Sequence, residues 1–367
     1  MQLDEPVLDD LVTGATILAA GGGGDPYLGK LMARLSIREH GPVPLLDVAE
    51  IPDDARVVFV AGMGAPSVVV EKLPRASEIV AALDTLEQHL GYRFTHVAPA
   101  EAGGLNAVIP VTAAALRGIP MLDADGMGRA FPTLDLVTPA LYGASTTPMS
   151  LVDEHGNRLV ITAESNDWAD RIARSAMITS GCVMMSALYP MSGAQAKQWL
   201  VRGALSLATR LGKVVRTARA GHTSPVDAVV AERGGARLFD GKVVGVERAT
   251  EGGWTVGEAV LQGLDAFAGQ QFRLGFRNEY LVGRRDGRIV ATTPDLLMAL
   301  ERETGAPIPA EELRYGYRVA VIGLPCDERW RTEAGLRASG PRRFGYDVDF
   351  TPVEASNNDT VTDEVAR

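Results

Sequence analysis

The side chains best suited to chemistry lie in one stretch of the chain, from Pro99 to Pro132. Near its end, Asp123 and Asp125 stand two residues apart, and Arg129 follows four residues after the second acid. Side chains two residues apart in an extended segment point to the same side, so the two carboxylates could work together. Paired carboxylates perform general acid–base catalysis, and an arginine can bind a carboxylate through two parallel hydrogen bonds. We therefore predict catalytic roles for Asp123, Asp125 and Arg129.

Two alternatives stay open for this group. Asp123 and Asp125 could hold a divalent metal ion, which would polarise a substrate for the same purpose. They could also form an aspartate-based turn before a helix, with Arg129 as its ion partner. The cofactor is thus unknown, although a nucleotide is not expected because the chain contains neither a Walker A loop nor a complete GxGxxG motif.

A second polar group precedes these acids within the same stretch. It comprises Glu101, Gly103, Gly104 and Asn106. Glu101 could serve as a catalytic base, the Asn106 amide could hydrogen-bond a carbonyl group, and the glycines would let a ligand approach the backbone. Asn106 could also be the N-cap of a helix predicted over residues 107–117, and both roles could hold at once.

Four consecutive glycines near the N-terminus form the third candidate. Gly21, Gly22, Gly23 and Gly24 are followed by Asp25 and Pro26, a helix-start signal that predicts a helix over residues 27–37. Backbone N–H groups that lead into a helix can bind an anion or a polarised carbonyl. A helix C-cap followed by a turn would use one or two glycines but not four. We predict that the four glycines and Asp25 contact the substrate.

Two residues of the second half are weaker candidates for substrate contact. His222 lies close to Ser224 and Asp227, although none of the histidines has a metal-binding spacing. Cys326 ends a predicted strand and precedes a predicted helix, whose N-terminus would stabilise a thiolate. Both residues could equally serve packing alone.

The elements that must position these residues alternate between strand and helix. Apolar strands are predicted over residues 57–61, 94–98 and 121–122, with helices over 77–89 and 107–117. This alternation predicts an α/β domain with a mostly parallel sheet, in which ligands lie beyond the carboxyl ends of the strands. A hairpin is predicted from segments 148–152 and 158–162.

The second half changes character. Helices are predicted over residues 168–180, 192–217 and 295–303, with a last strand over 344–350. Between them lie short β segments, with hairpin turns expected at the two Asp-Gly pairs, 240–241 and 286–287. We therefore predict an α/β N-terminal domain over residues 1–165, an α+β, β-rich C-terminal domain over 166–355 and a flexible tail over 356–367.

Composition narrows the class of protein. The chain has 367 residues and a formal charge of −10, which argues against nucleic acid because phosphate binding needs clustered basic residues. No window is apolar enough for a membrane helix, and acidic residues stand where a signal peptide would carry basic charge, so we expect a cytoplasmic protein without a membrane partner. Two cysteines are too few for a disulfide framework. We also expect a homo-oligomer.

Four segments carry a resemblance to a known family. GGGGDPYLG, PAEAGGLN, LDADGMGRAFP and the C-terminal run from IGLPCDERW to DFTPVE resemble the S-methyl-thiohydantoin desulfurase-like family, which is associated with hydantoinase and oxoprolinase-type enzymes. The similarity extends from about Leu8 to Glu354. It implies two domains and a five-membered heterocyclic substrate whose C2 methylthio group is hydrolysed, giving a hydantoin and methanethiol.

The resemblance places the predicted site residues on the family's motifs but does not assign their roles. In our own hypothesis, Asp123 or Asp125 is the base and Glu101 hydrogen-bonds a protonated ring nitrogen. Asn106 and the glycine run hydrogen-bond the ring carbonyl. Arg129 would bind a substrate carboxylate or fix the acids. Two other functions stay open: a ring-opening amidohydrolase that releases no thiol, and a non-catalytic small-molecule-binding subunit.

Overall fold

The structure is a computed structural model that describes residues 1–24, 26–64, 75–251 and 254–356. Of residues 250 and 251 it describes the backbone only. Contacts divide the chain into two compact units: unit 1 contains residues 1–15 and 23–209, and unit 2 contains residues 16–22 and those from 210 onward. Residues 166–209, assigned by sequence to the second domain, therefore belong to unit 1 by their contacts.

The helices and strands below are those of the described residues. The helices are α1 (Glu5–Leu18), α2 (Tyr27–His40), α3 (Ala76–Leu90), α4 (Ile109–Arg117), α5 (Thr138–Leu141), α6 (Asn166–Thr179), α7 (Gly193–Trp199), α8 (Ala204–Ala220), α9 (Pro225–Arg233) and α10 (Glu333–Ser339). The strands of unit 1 are β1 (Gln2–Leu3), β2 (Val43–Leu46), β3 (Arg56–Gly64), β4 (His96–Pro99), β5 (Met121–Leu122), β6 (Ala124–Asp125), β7 (Met149–Val152), β8 (Arg158–Ile161), β9 (Val183–Ser192) and β10 (Val201–Arg202). The strands of unit 2 are β11 (Ala236–Glu251), β12 (Trp254–Gly263), β13 (Gln271–Arg277), β14 (Glu279–Arg285), β15 (Arg288–Thr292), β16 (Leu296–Glu301), β17 (Pro307–Ile308) and β18 (Arg318–Leu324).

Unit 1 is built on a mixed eight-stranded sheet in the order β1-β2-β5-β4-β3-β9-β7-β8. Strands β2, β5, β4 and β3 run parallel to one another, and the others join antiparallel. Residues 57–60 of β3 are fully buried, as expected for a parallel strand that is covered on both faces. The predicted α/β fold class is confirmed, and the carboxyl ends of β3, β4 and β5 lie at one edge of the sheet.

Unit 2 is built on an eight-stranded antiparallel sheet in the order β15-β14-β13-β12-β11-β18-β16-β17. This confirms the predicted β-rich second half. The turn at Asp286 and Gly287 joins β14 to β15, and both residues have positive φ, 47° and 81°, as a two-residue hairpin turn requires.

Four local predictions in the second half are wrong. Asp240 and Gly241 lie inside β11, where both pair with β18 and Gly241 also pairs with β12, so they continue the strand. The segment predicted as a helix over 295–303 contains β16, because its apolar run pairs with β18 and carries no helical period. The helix predicted over 192–217 is divided into α7 and α8 by β10, which pairs with β6. No strand forms at 344–350, where a short 3₁₀ turn over Pro341–Phe344 leads into irregular chain.

The hairpin predicted from residues 148–152 and 158–162 is confirmed as β7 and β8. Within the described segments of the chain, no helix combines the length and apolar character that crossing a membrane would require.

Candidate active site

Glu101, Asn106, Asp125 and Arg129 are brought together in unit 1, in the loop that follows β4, at the end of β6 and in the loop that follows β6. Glu101, Asp125 and Arg129 are 6%, 0% and 1% exposed, and Asn106 is half-buried. Three ionisable side chains buried side by side are costly to fold unless their charges and hydrogen bonds are matched. Such clusters mark candidate functional sites.

Asn106 links the loop after β4 to strand β3 through its side chain. Its Oδ1 accepts a hydrogen bond from the backbone N–H of Gly62 in β3 at 2.8 Å. Its Nδ2 donates to Oε1 of Glu101 at 2.7 Å. The alternative role as helix N-cap is wrong, because α4 begins at Ile109 with Val108 as its N-cap and no side-chain cap.

Asp125 holds the backbone on both sides of the cluster. Its Oδ2 accepts the N–H of Ala102 at 2.6 Å, and both of its oxygens lie within 2.9 Å of the N–H of Gly128. These donors stabilise a carboxylate in its charged form. Asp125 therefore fixes the loop that carries Glu101 and the loop that carries Arg129.

The pKa of the Glu101 carboxyl group is raised above its ordinary value. Burial raises its pKa most strongly and the charge of Asp125 raises it further, whereas hydrogen bonds from Asn106 and the Phe131 backbone and the charge of Arg129 lower it. The balance raises the pKa of Glu101 to about 8. Glu101 is thus mostly protonated at neutral pH and can donate a proton.

Arg129 is a buried cation in the same cluster. Its guanidinium lies 4.7 Å from the centre of the Phe131 ring, and its Nε donates to the Ala130 carbonyl at 3.0 Å. Stacking on an aromatic face suits a weakly hydrated guanidinium and helps to offset its burial.

The carboxylate of Asp123 has different partners from that of Asp125. It accepts hydrogen bonds from the N–H and the Oγ of Ser206 at 2.9 and 2.5 Å, in the first turn of α8. The expected common orientation fails because Asp123 lies between two short strands, β5 and β6, rather than within one. Among the described residues, no three His, Cys, Asp or Glu side chains are arranged to bind a metal ion, so we assign no metal ligands.

The glycine run is divided between the two units. In unit 1, the carbonyl of Gly23 accepts the N–H of Leu105 at 2.9 Å, and a Cβ on Gly104 would lie 2.2 Å from that same carbonyl. In unit 2, a Cβ on Gly21 would meet the Tyr280 ring and one on Gly22 would meet Glu279. Close backbone packing therefore requires these glycines. Gly103 is buried beside Gly104, and Asp25 lies outside the described residues.

The two candidates from the second half both lie in unit 2. His222 is exposed, has a φ of 55° and lines a cavity of about 540 Å³. Cys326 is buried, and its backbone N–H donates to Asp295 at 3.1 Å. Burial and the nearby Asp295 charge raise the pKa of the Cys326 thiol, so the expected thiolate stabilisation is wrong.

Sequence reasoning missed the backbone donors of the cluster, on Gly62, Gly128 and Phe131. A glycine directly after the strand at 57–61 was the available signal for Gly62, because it permits close approach of a side chain. Nothing in the sequence pointed to Phe131 as a donor.

Two family models match this chain, one in each half. A family model described as "S-Me-THD-like, N-terminal domain" matches residues 7–163, and one described as "S-Me-THD-like, C-terminal domain" matches residues 164–353. The X-ray crystal structure of a protein from Chromobacterium violaceum is 25% identical in sequence and superimposes with a TM-score of 0.82, over 96% of this chain and 100% of that one. No curated protein matches.

Proposed function

This chain belongs to the S-Me-THD-like family, and we propose that it is a hydrolase acting on S-methyl-thiohydantoin-type five-membered rings. Water would replace the methylthio group at ring carbon C2 and release methanethiol and a hydantoin. The observation that carries the proposal is a buried pair of carboxyl groups: Glu101, whose pKa burial raises to about 8, and Asp125, which is held by backbone donors.

Such a pair suits this reaction because burial keeps a proton on Glu101, while the backbone donors around Asp125 favour a carboxylate. In the proposed reaction, Asp125 takes a proton from water as the C2–O bond forms. The C–S bond then breaks with its electron pair on sulfur, and Glu101 gives its proton to the methanethiolate. The C2 hydroxyl proton moves to a ring nitrogen to give the hydantoin, and solvent returns a proton from Asp125 to Glu101.

The geometry favours Asp125 over Asp123 as the base. The charge of Asp125 acts on Glu101, so these two carboxyl groups can act together on one substrate, whereas the carboxylate of Asp123 is bound by Ser206 at the start of α8. Arg129 would offset the negative charge that develops in the site. Substrate contacts by the glycine run, Asp25, His222 and Cys326, a homo-oligomer and a cytoplasmic location stay predictions.

One experiment distinguishes the three candidate functions. The purified protein is incubated with S-methyl-thiohydantoins, hydantoins and lactams, and thiol release and ring opening are followed together. The proposal predicts thiol release that is lost in E101Q and kept in E78Q, since Glu78 is also a buried glutamate with a pKa raised by burial but lies on α3. Ring opening without thiol would support an amidohydrolase, and ligand binding without turnover would support a binding subunit.

A further inference from the structure

Asn106 is held in one orientation by the strand beside it. The backbone N–H of Gly62 can only donate, so the atom of the Asn106 amide that faces it at 2.8 Å must be the oxygen. The amide nitrogen then faces Glu101, at 2.7 Å from Oε1. A rotation of the amide by half a turn would set two donors against each other at Gly62 and leave β3 with an unsatisfied N–H.

This orientation restricts where the proton of Glu101 can lie. An amide nitrogen donates two hydrogens and accepts none, so Oε1 of Glu101 must act as an acceptor. A proton on Oε1 would compete with the Asn106 hydrogen for the same side of the carboxyl group. The proton of the neutral acid therefore lies on Oε2, away from Asn106.

Among the residues that the structure describes, three other groups face Glu101. They are the Phe131 backbone N–H, the carboxylate of Asp125 and the guanidinium of Arg129. The N–H of Phe131 and the guanidinium of Arg129 are donors and cannot take the proton, whereas the carboxylate of Asp125 is an acceptor that also binds the N–H groups of Ala102 and Gly128. Asn106 therefore has its oxygen bound by Gly62 and one of its two amide hydrogens bound to Glu101.

We propose that Asn106 is a positioning residue, which keeps the transferable proton of Glu101 on Oε2 and so aims it at the departing thiolate. This inference rests on the proposed function for the identity of the proton acceptor, but not for the placement of the proton. It departs from the carbonyl-holding role predicted for Asn106 from the sequence. The chain from Gly62 through Asn106 to Glu101 thereby connects the parallel sheet to the acid.

The test has a readout that does not depend on turnover. The full-length protein is labelled with ¹³C at glutamate side-chain carboxyls, and the Glu101 resonance, assigned by its absence in E101Q, is titrated in wild type, N106D and N106L. Because the Asn106 donor lowers the pKa of Glu101, both variants should titrate at higher pH than wild type. Asn157 donates to Asp153 at 2.7 Å in the β7–β8 turn, so N157L is a control that removes the same kind of bond and should leave Glu101 unchanged.

Turnover supplies the second half of the test. N106D, which keeps the shape and the acceptor for Gly62, should lower kcat for thiol release about 10- to 100-fold with little change in KM and shift the alkaline limb of its pH profile upward. Circular dichroism and melting temperature show whether each variant is folded. An unchanged Glu101 titration in folded N106D would overturn the inference. If the Glu101 titration shifts in N106D but the wild-type protein releases no thiol, the proposed function is overturned and the placement of the proton on Oε2 still holds.

Discussion

The carboxylate of Asp125 accepts the backbone N–H of Ala102 at 2.6 Å, one residue beyond Glu101. This short contact ties the end of β6 to the loop after β4, so that the carboxyl groups of Asp125 and Glu101 keep a fixed separation. Asp125 therefore has a structural role as well as its proposed chemical role, so both the stability and the activity of its variants must be measured.

Replacing Asp125 should abolish thiol release while replacing Asp123 should not. D125N removes the proposed base and should lower kcat by about 100-fold or more, a typical contribution of general base catalysis. D123N weakens a cap on α8 and should cost about 1 kcal/mol of stability with turnover retained. Steady-state kinetics and urea unfolding of both variants check this. Inactive, fully folded D123N beside active D125N would reverse the assignment.

The stability of the protein should depend on pH through Glu101. The pKa of Glu101 is about 8 in the folded state and about 4.3 in an unfolded chain, so between these values the folded state keeps a proton that the unfolded state has lost. The free energy of unfolding therefore falls as pH rises through this window. E101Q should show a smaller fall than wild type in urea unfolding at pH 5, 6, 7 and 8. If the unfolding free energies of wild type and E101Q fall equally with pH, Glu101 is ionised in the folded protein.

Gly104 should tolerate alanine less well than Gly118. Both have a left-handed backbone, with φ of 54° and 61°, but an added Cβ meets the Gly23 carbonyl at Gly104 and nothing within 4 Å at Gly118. G118A should cost about 1 kcal/mol from the backbone conformation alone, and G104A clearly more. Thermal unfolding compares the two, and equal losses would mean that the Gly23 contact is unimportant.

Cys326 should be chemically inert and dispensable for turnover. Because the pKa of its thiol is raised by burial and by Asp295, it should react with iodoacetamide at pH 8 much more slowly than the half-buried Cys182. C326A should release methanethiol with a kcat close to that of wild type, because loss of a substrate contact by Cys326 would change KM rather than the chemical step. Mass spectrometry of the labelled protein and kinetics of C326A test both points, and an inactive, folded C326A would return Cys326 to the mechanism.

The sequence allowed the central cluster to be predicted because of a general property of parallel sheets. Glu101 and Asp125 follow different strands, yet the carboxyl ends of parallel strands share an edge. Asp123 could not be placed in the same way, since its orientation depends on Ser206, which is distant in the chain. The run over 296–301 was misassigned because a short, wholly buried apolar segment has no period that separates strand from helix.

The most direct test of the central claim varies the leaving group. An acid that protonates the departing sulfur matters greatly for methanethiolate but little for a thiolate that is stable without a proton, such as 2,2,2-trifluoroethanethiolate. The rate of thiol release from the S-methyl and S-trifluoroethyl forms of one thiohydantoin is measured for wild type and E101Q. The proposed role predicts that E101Q loses about 100-fold or more on the S-methyl substrate and recovers most of that loss on the S-trifluoroethyl substrate. Equal losses on both substrates would contradict it.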